Sequence, residues 1–202
     1  MNAITRAEAT ALLVRTMLDE FSYDAPAPSI NGVFSDVEPG RWYHQYVAWA
    51  YNHGLVKGYP NGTFQPNNFI TREEFAAIVS RGTIVTAGIA PFADAADVSY
   101  WAQNYVNTAF HARWMVGDEH GRFLPAANIT RAEATATISR MIDRNRTTAE
   151  SLRNVLEDVR IFSDVRDTSA WFHYYVVDGS NSYWFNALQD AKTWTQVVQY
   201  AN

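Results

Sequence analysis

The sequence predicts an all-α, mainly helical fold of three helix-loop-helix repeats in a pseudo-threefold arrangement. Its clearest sign is a segment of the form Ile-Thr-Arg-x-Glu, which occurs at residues 4–8, 70–74 and 129–133. An apolar pattern at helical spacing follows each copy. The third sign is a constant period, because Phe34 to Phe92 is 58 positions and Thr71 to Thr130 is 59. Such a period indicates an internal repeat whose units share one core.

The composition is that of a folded domain without a basic surface. Hydrophobic residues make up 48% of the 202 residues and aromatic residues 14%, which is enough for a packed core. The net charge of −5 argues against a nucleic-acid partner. Cysteine is absent, so disulfides, cysteine zinc sites and thiol catalysis are excluded. The five histidines show no metal-ligand spacing, and we expect neither a metal nor a cofactor.

Neither membrane insertion nor a secretory signal is indicated by the sequence. No apolar run approaches the length of a membrane span, and no signal-peptide pattern is present. The sequence begins almost directly on a repeat motif, which suggests a fragment of a longer protein.

The first predicted helix covers residues 4–20, where Leu12, Leu13 and Met17 recur at helical spacing. A linker at 21–33 follows, rich in proline and glycine. The first repeat, 34–81, opens with Phe-Ser-Asp and a Trp-led helix that should end near Gly54. A turn-rich loop with an Asn-Gly pair then leads to a second helix.

The second repeat, 92–140, has the same order of elements. It follows a linker at 82–91, and another linker at 141–161 contains a Thr-x-x-Glu box and an apolar pattern that predict a helix. The front half of a unit restarts at residue 162. We therefore predict a single domain whose split third repeat combines 162–202 with 1–20, although the tail after Gly179 matches no earlier copy.

Each Ile-Thr-Arg-x-Glu segment predicts a capping box, in which Thr and Glu satisfy the first amides of a helix. The glutamates Glu8, Glu74 and Glu133 should serve the caps. Asp36, Asp94 and Asp164, which precede helices, are interpreted as further helix caps. His44 and His173 are expected to be exposed on helices.

The arginine of each motif stands at the first helical position, where unpaired amides and the helix dipole favour an anion. We expect the three guanidinium groups to face outward. A surface salt bridge is the alternative for each. On the first view, Arg72→Ala weakens ligand binding and leaves the melting temperature nearly unchanged.

These motifs resemble the S-layer homology family. Its pattern is Phe-x-Asp, a Trp-led helix, Gly-x-x-x-Gly-Tyr-Pro-x-Gly-x-Phe-x-Pro, and Ile-Thr-Arg-Ala-Glu. Residues 34–81 match it nearly throughout, 92–140 match well, and the two end halves match in part. The resemblance implies non-covalent anchoring of a surface protein to the bacterial cell wall, and hence an extracellular location.

In that family, grooves between three prongs bind secondary cell-wall polysaccharide, which typically carries pyruvate ketals on N-acetylmannosamine. The ligand in some Gram-negative lineages is instead modified peptidoglycan. The resemblance implies ligand contacts by the motif threonines and arginines, by a tryptophan in each unit and by the turn loop. The implied residues are Thr5, Arg6, Thr71, Arg72, Thr130, Arg131, Trp42, Trp101, Trp171, Gly58 and Tyr59. Packing in the core is the alternative for the tryptophans.

The sequence departs from the family pattern in two places. The split repeat lacks its turn loop, so its groove is expected to be absent. In the second repeat, Asp118 and Glu119 replace the family's Tyr-Pro, and carboxylates there should repel an acidic sugar.

Three functions follow from the sequence. The first is a wall-glycan binding module. The second is a structural self-assembly unit of a surface layer, using the same apolar helices. The third, a glycan-processing enzyme with paired carboxylates, is the weakest, because the helix caps account for most of the acidic residues. We therefore predict a protein that is not an enzyme.

Overall fold

The structure is a computed structural model. It describes residues 2–21, 30, 32–83, 88–142, 169–171, 173–175, 182–188 and 191–198, and for 19–21 and the last two ranges only the backbone. The chain divides into two compact units, Met1–Ala134 and Thr135–Asn202.

Helices build the described part of the first unit. They are α1 (Arg6–Phe21), α2 (His44–Asn52), α3 (Arg72–Ser80), α4 (Gln103–His111) and the start of α5 (Arg131–Met141), together with a short 3-10 helix at Ala95–Asp97. α1 packs on α2, and α3 packs on α4. The mainly helical class is confirmed.

The repeats pair a helix with a turn-rich loop, as the sequence predicts. α2 ends one residue before His53, and Gly54 adopts a φ of +72°, which a glycine reaches without strain. The phenyl rings of Phe64 and Phe123, one from each loop, are fully buried. Each loop is therefore anchored in the core by its phenylalanine.

The second unit contains the rest of α5, a helical segment at 173–175 and a β-hairpin. Strands β1 (Ser182–Leu188) and β2 (Ala191–Val198) pair antiparallel, with Ser182 opposite Val198 and Leu188 opposite Ala191. The hairpin adds two strands to a mainly helical chain. Both segments are rich in aromatic and β-branched residues, which favour strands.

Several predictions stay predictions at this level. The helix expected near 147–159 and the proposed cap Asp164 lie outside the described residues. The pseudo-threefold arrangement of three whole repeats and the single-domain organisation likewise stay predictions.

Candidate functional site

All three predicted capping boxes are present at the starts of α1, α3 and α5. The backbone amide of each threonine donates to its glutamate: Thr5 to Glu8 at 2.8 Å, Thr71 to Glu74 at 3.0 Å and Thr130 to Glu133 at 2.8 Å. In return, each glutamate amide donates to the threonine hydroxyl at 3.2–3.3 Å. The threonine hydroxyls are therefore engaged in helix capping.

The second carboxylate oxygen of each glutamate accepts a hydrogen bond from the arginine of another motif. Arg6 pairs with Glu74, Arg72 with Glu133, and Arg131 with Glu8. The three ion pairs form a closed cycle that joins all three motifs. Each glutamate thus has two structural roles, one in its own helix and one in a neighbouring motif.

The backbones of the three motifs close the same cycle. Ile4 donates to the carbonyl of Ile129 (3.2 Å), Ile70 to that of Ile4 (3.2 Å), and Ile129 to that of Ile70 (2.9 Å). These three isoleucine side chains are all buried. The centre of the first unit is therefore a ring in which each motif holds the next.

Arg6 is enclosed by the loop of the first repeat. Its Nε donates to the Phe64 carbonyl at 2.8 Å, and its two Nη atoms reach Glu74 at 3.2 Å and the Lys57 carbonyl at 3.3 Å. The guanidinium also lies over the Tyr59 ring, 4.7 Å from its centroid. Only 5% of Arg6 is exposed.

Arg72 occupies the equivalent position in the loop of the second repeat and is 7% exposed. It donates to the carbonyls of Phe123 (2.6 Å) and Val116 (3.2 Å) and pairs with Glu133. Burial lowers the pKa of Arg72, against the opposing effect of Glu133. The prediction that the motif arginines face outward is wrong for Arg6 and Arg72, because loop carbonyls and a glutamate surround each guanidinium.

Arg131 differs from the other two. Its side chain is 64% exposed, and its Nη2 donates to Glu8 at 2.9 Å. Burial raises the pKa of Glu8, but hydrogen bonds from Thr5 and the charge of Arg131 outweigh that effect and the pKa is lowered. Arg131 is therefore the motif arginine that a ligand can approach.

Tyr59 and Gly58, both predicted to contact ligand, belong to the loop that encloses Arg6. The Tyr59 hydroxyl donates to Glu74, and burial together with this hydrogen bond raises the pKa of Tyr59 to about 12. A Cβ at Gly58 would lie 2.4 Å from Phe34 Cε1 and 2.7 Å from the Thr63 carbonyl oxygen. Close packing against Phe34 explains this glycine without a ligand.

The altered loop of the second repeat is held by an ion pair. Asp118 accepts from Arg122 at 2.7 Å and from the amides of Arg122 and His120. Hydrogen bonds from Arg122 hold the pKa of Asp118 at about 2. Of the two carboxylates that were expected to repel an acidic sugar, Asp118 is therefore paired with Arg122, whereas Glu119 stays exposed.

The predicted tryptophans are exposed in both units. Trp42 is 57% exposed, Trp101 50% and Trp171 57%, whereas Trp49, on the inner face of α2, is buried. Trp42 and Trp101 stand two residues before the starts of α2 and α4, and Trp171 stands two residues before the helical segment at 173–175. Three large apolar side chains are thus accessible at equivalent positions.

Two other expectations are wrong. Asp36 and Asp94 cap no α-helix: each carboxylate accepts two backbone amides of a turn loop at 2.7 Å, those of Phe64 and Gln65 for Asp36 and those of Phe123 and Leu124 for Asp94. They tie the loop to the start of its repeat because loop amides need acceptors when the loop is packed. His173 is buried and not exposed.

The sequence motifs do not predict a second row of arginines, which the structure reveals. Each stands nine residues after a motif arginine and lies over a tyrosine four residues after a tryptophan. The distances from the guanidinium carbon to the ring centroid are 5.6 Å for Arg15 and Tyr46, 5.4 Å for Arg81 and Tyr105, and 4.8 Å for Arg140 and Tyr175. The constant offset of nine residues is the signal that could have revealed the row.

In the described part of the chain, no group of three His, Cys, Asp or Glu residues is placed to hold a metal ion. No described helix has the length and apolar character needed to cross a membrane.

A repeated helical module with exposed aromatic side chains is typical of binding proteins, and comparison with known proteins identifies the class. The S-layer homology domain matches residues 33–76 and 91–135. These two segments are S-layer homology repeats, and the family resemblance is confirmed. Because the family is one of wall-binding modules, the prediction that the chain is not an enzyme agrees with it.

Longer proteins contain similar segments. The chain is 30% identical to a "Cell surface glycoprotein 1" of Acetivibrio thermocellus over 93% of its own length but 8% of that protein. A "Cellulosome-anchoring protein" of the same species is 30% identical, over 71% of this chain and 33% of that protein. A "Surface-layer 125 kDa protein" of Lysinibacillus sphaericus is 31% identical over 71% of this chain and 12% of that protein. The chain therefore spans a minor part of these relatives.

Proposed function

We propose that the chain attaches a surface protein non-covalently to the bacterial cell wall, outside the cell, by binding an acidic secondary cell-wall polysaccharide in grooves between repeats. The observation that carries the proposal is the exposure of Trp42, Trp101 and Trp171 at equivalent positions. A repeated exposed indole is not explained by core packing, since Trp49 shows that these helices can bury one.

The chemistry of a sugar polymer suits such positions. An indole ring covers the apolar face of a pyranose and loses little conformational entropy on binding. Two or three separate weak contacts with one polymer chain bind multivalently, so the total affinity exceeds the affinity of each contact alone. Tryptophans at equivalent positions of successive repeats match a ligand that is itself a repeat.

Among the motif residues, we assign the direct ligand contact to Arg131, whose guanidinium is accessible. An accessible guanidinium can grip one carboxylate of a pyruvate ketal with two hydrogen bonds. We assign a supporting role, without direct ligand contact, to the other implied motif and loop residues. These are Thr5, Thr71, Thr130, Arg6, Arg72, Gly58 and Tyr59.

Co-sedimentation tests the proposal. The chain is mixed with sacculi purified from the bacterium that encodes it, before and after chemical removal of the secondary polymer. We expect pelleting with intact sacculi and loss of pelleting after removal. Equal pelleting in both would overturn polysaccharide binding, and concentration-dependent pelleting without any wall material would favour self-assembly of a surface layer instead.

A further inference from the structure

The second row of arginines, Arg15, Arg81 and Arg140, lies over tyrosines that follow the exposed tryptophans by four residues. Trp42 and Tyr46 have ring centroids 6.5 Å apart, and Arg15 lies over the same Tyr46 ring. In the second unit, Trp171 and Tyr175 are 6.4 Å apart, and Arg140 lies over Tyr175. Each arrangement is a continuous strip of indole, phenol and guanidinium, which we name the Trp-Tyr-Arg strip. The equivalent residues of the second repeat are Trp101, Tyr105 and Arg81, of which Arg81 lies over Tyr105, and we include them under this name.

The ion pairing of this row differs from that of the motif row. Arg6, Arg72 and Arg131 each pair with a glutamate. Among the described residues, neither Arg15 nor Arg81 makes an ion pair with a carboxylate. Within the part of the chain that the structure describes, two cations of the row therefore have no counter-charge, although the chain carries a net charge of −5.

Arg81 has hydrogen-bonding capacity left as well. One of its Nη atoms donates to the Leu55 carbonyl at 2.9 Å, while its Nε is buried and has no hydrogen-bond partner. A buried donor without an acceptor is uncommon and calls for a physical explanation. A carboxylate beside the guanidinium would supply a counter-charge.

We infer that each Trp-Tyr-Arg strip is an acidic-sugar subsite, in which the indole covers a pyranose ring and the neighbouring arginine receives the sugar's carboxylate. This inference rests on the proposed function and deepens it. It moves recognition of the acidic group from the buried arginines Arg6 and Arg72 to Arg15 and Arg81, with Arg140 in the equivalent place of the second unit. Aromatic stacking of the arginine on tyrosine orients the guanidinium plane for two parallel hydrogen bonds.

Affinity for solubilised secondary polymer tests the inference. The polymer is used in two forms, native and with its carboxylates converted to amides by carbodiimide coupling. We expect the native chain to bind the amidated form about tenfold more weakly, the loss that accompanies one missing charged hydrogen bond. The double variant Arg15→Ala/Arg81→Ala should bind native polymer about tenfold more weakly. It should also distinguish the two forms less than the native chain does, because only Arg131 and Arg140 are left to receive a carboxylate.

Two further variants separate recognition from folding. Arg15→Ala alone removes an exposed side chain that makes no hydrogen bond or ion pair with the described residues, so the melting temperature should be unchanged. The ratio of its affinities for native and amidated polymer should nevertheless fall. Arg113→Ala, an exposed arginine outside the strips, should behave as the native chain. Full discrimination by the double variant would overturn the inference and leave the proposed function intact. No binding of either polymer by the native chain would overturn both.

Discussion

Arg72 and Arg131 occupy the same position in two copies of one motif but lie in different surroundings. Arg72 is buried among two carbonyls and Glu133, whereas Arg131 is mostly exposed beside Glu8. A motif residue therefore has no single role, because the role depends on whether a turn loop covers it.

We predict that Arg72→Ala lowers the free energy of unfolding by about 3 kcal/mol, since it leaves Glu133 and two loop carbonyls without their partner. Urea denaturation, monitored by circular dichroism, measures this loss of unfolding free energy. The matched control Arg131→Ala removes an exposed pair and should cost less than about 1 kcal/mol. Equal losses in the two variants would contradict the difference in burial. This reverses the expectation from sequence that Arg72→Ala leaves stability nearly unchanged.

A second residue-scale prediction concerns Tyr59. Its pKa of about 12 in the folded chain exceeds the value of about 10 in an unfolded chain. The unfolded state therefore loses this proton first as the pH rises, and the stabilisation present below pH 10 is lost between about pH 10 and 12. Tyr59→Phe should unfold with a shallower dependence of stability on pH across that window. An unchanged slope in this variant would exclude Tyr59 as its source.

Among the elements, the turn loops depend on residues far away in sequence. The Asp36 carboxylate holds the amides of Phe64 and Gln65, and Asp94 holds the equivalent amides of the second loop. These two aspartates fix the loops that in turn enclose Arg6 and Arg72.

We expect Asp36→Ala to destabilise the chain by about 2 kcal/mol, because two packed amides lose a charged acceptor. Thermal unfolding measures the loss. Glu38→Ala, in an exposed ion pair with Arg41, is the control and should change stability little. If Asp36→Ala were as stable as the control, the carboxylate would not hold the loop.

At this scale, the capping boxes and the turn loops could be predicted because they depend on residues three to nine positions apart. The partners of Glu74 and Asp36 could not be predicted, because Arg6 lies 68 residues from Glu74 and the Phe64 amide lies 28 residues from Asp36. The segments Ser182–Leu188 and Ala191–Val198 show no helical period, and their aromatic and β-branched residues favour strands, a local signal that lies outside the repeat pattern.

In the first unit as a whole, three motifs hold one another through Ile4, Ile70 and Ile129. We predict that Ile70→Ala costs about 2–5 kcal/mol and speeds hydrogen exchange at the amides of Ile4 and Ile129 as well as in α3. Ile78→Ala, a buried position outside the ring, should perturb mainly α3. Exchange that changes in α3 alone for both variants would contradict a shared ring.

The central claim is that exposed tryptophans, and not the enclosed arginines of the repeated motif, meet the wall polymer. The most direct measurement is the amount of the variant Trp42→Ala/Trp101→Ala/Trp171→Ala that pellets with sacculi, read together with its melting temperature. We predict that pelleting is largely lost while the melting temperature stays within a few degrees of the native value. Pelleting that equals that of the native chain would contradict the account.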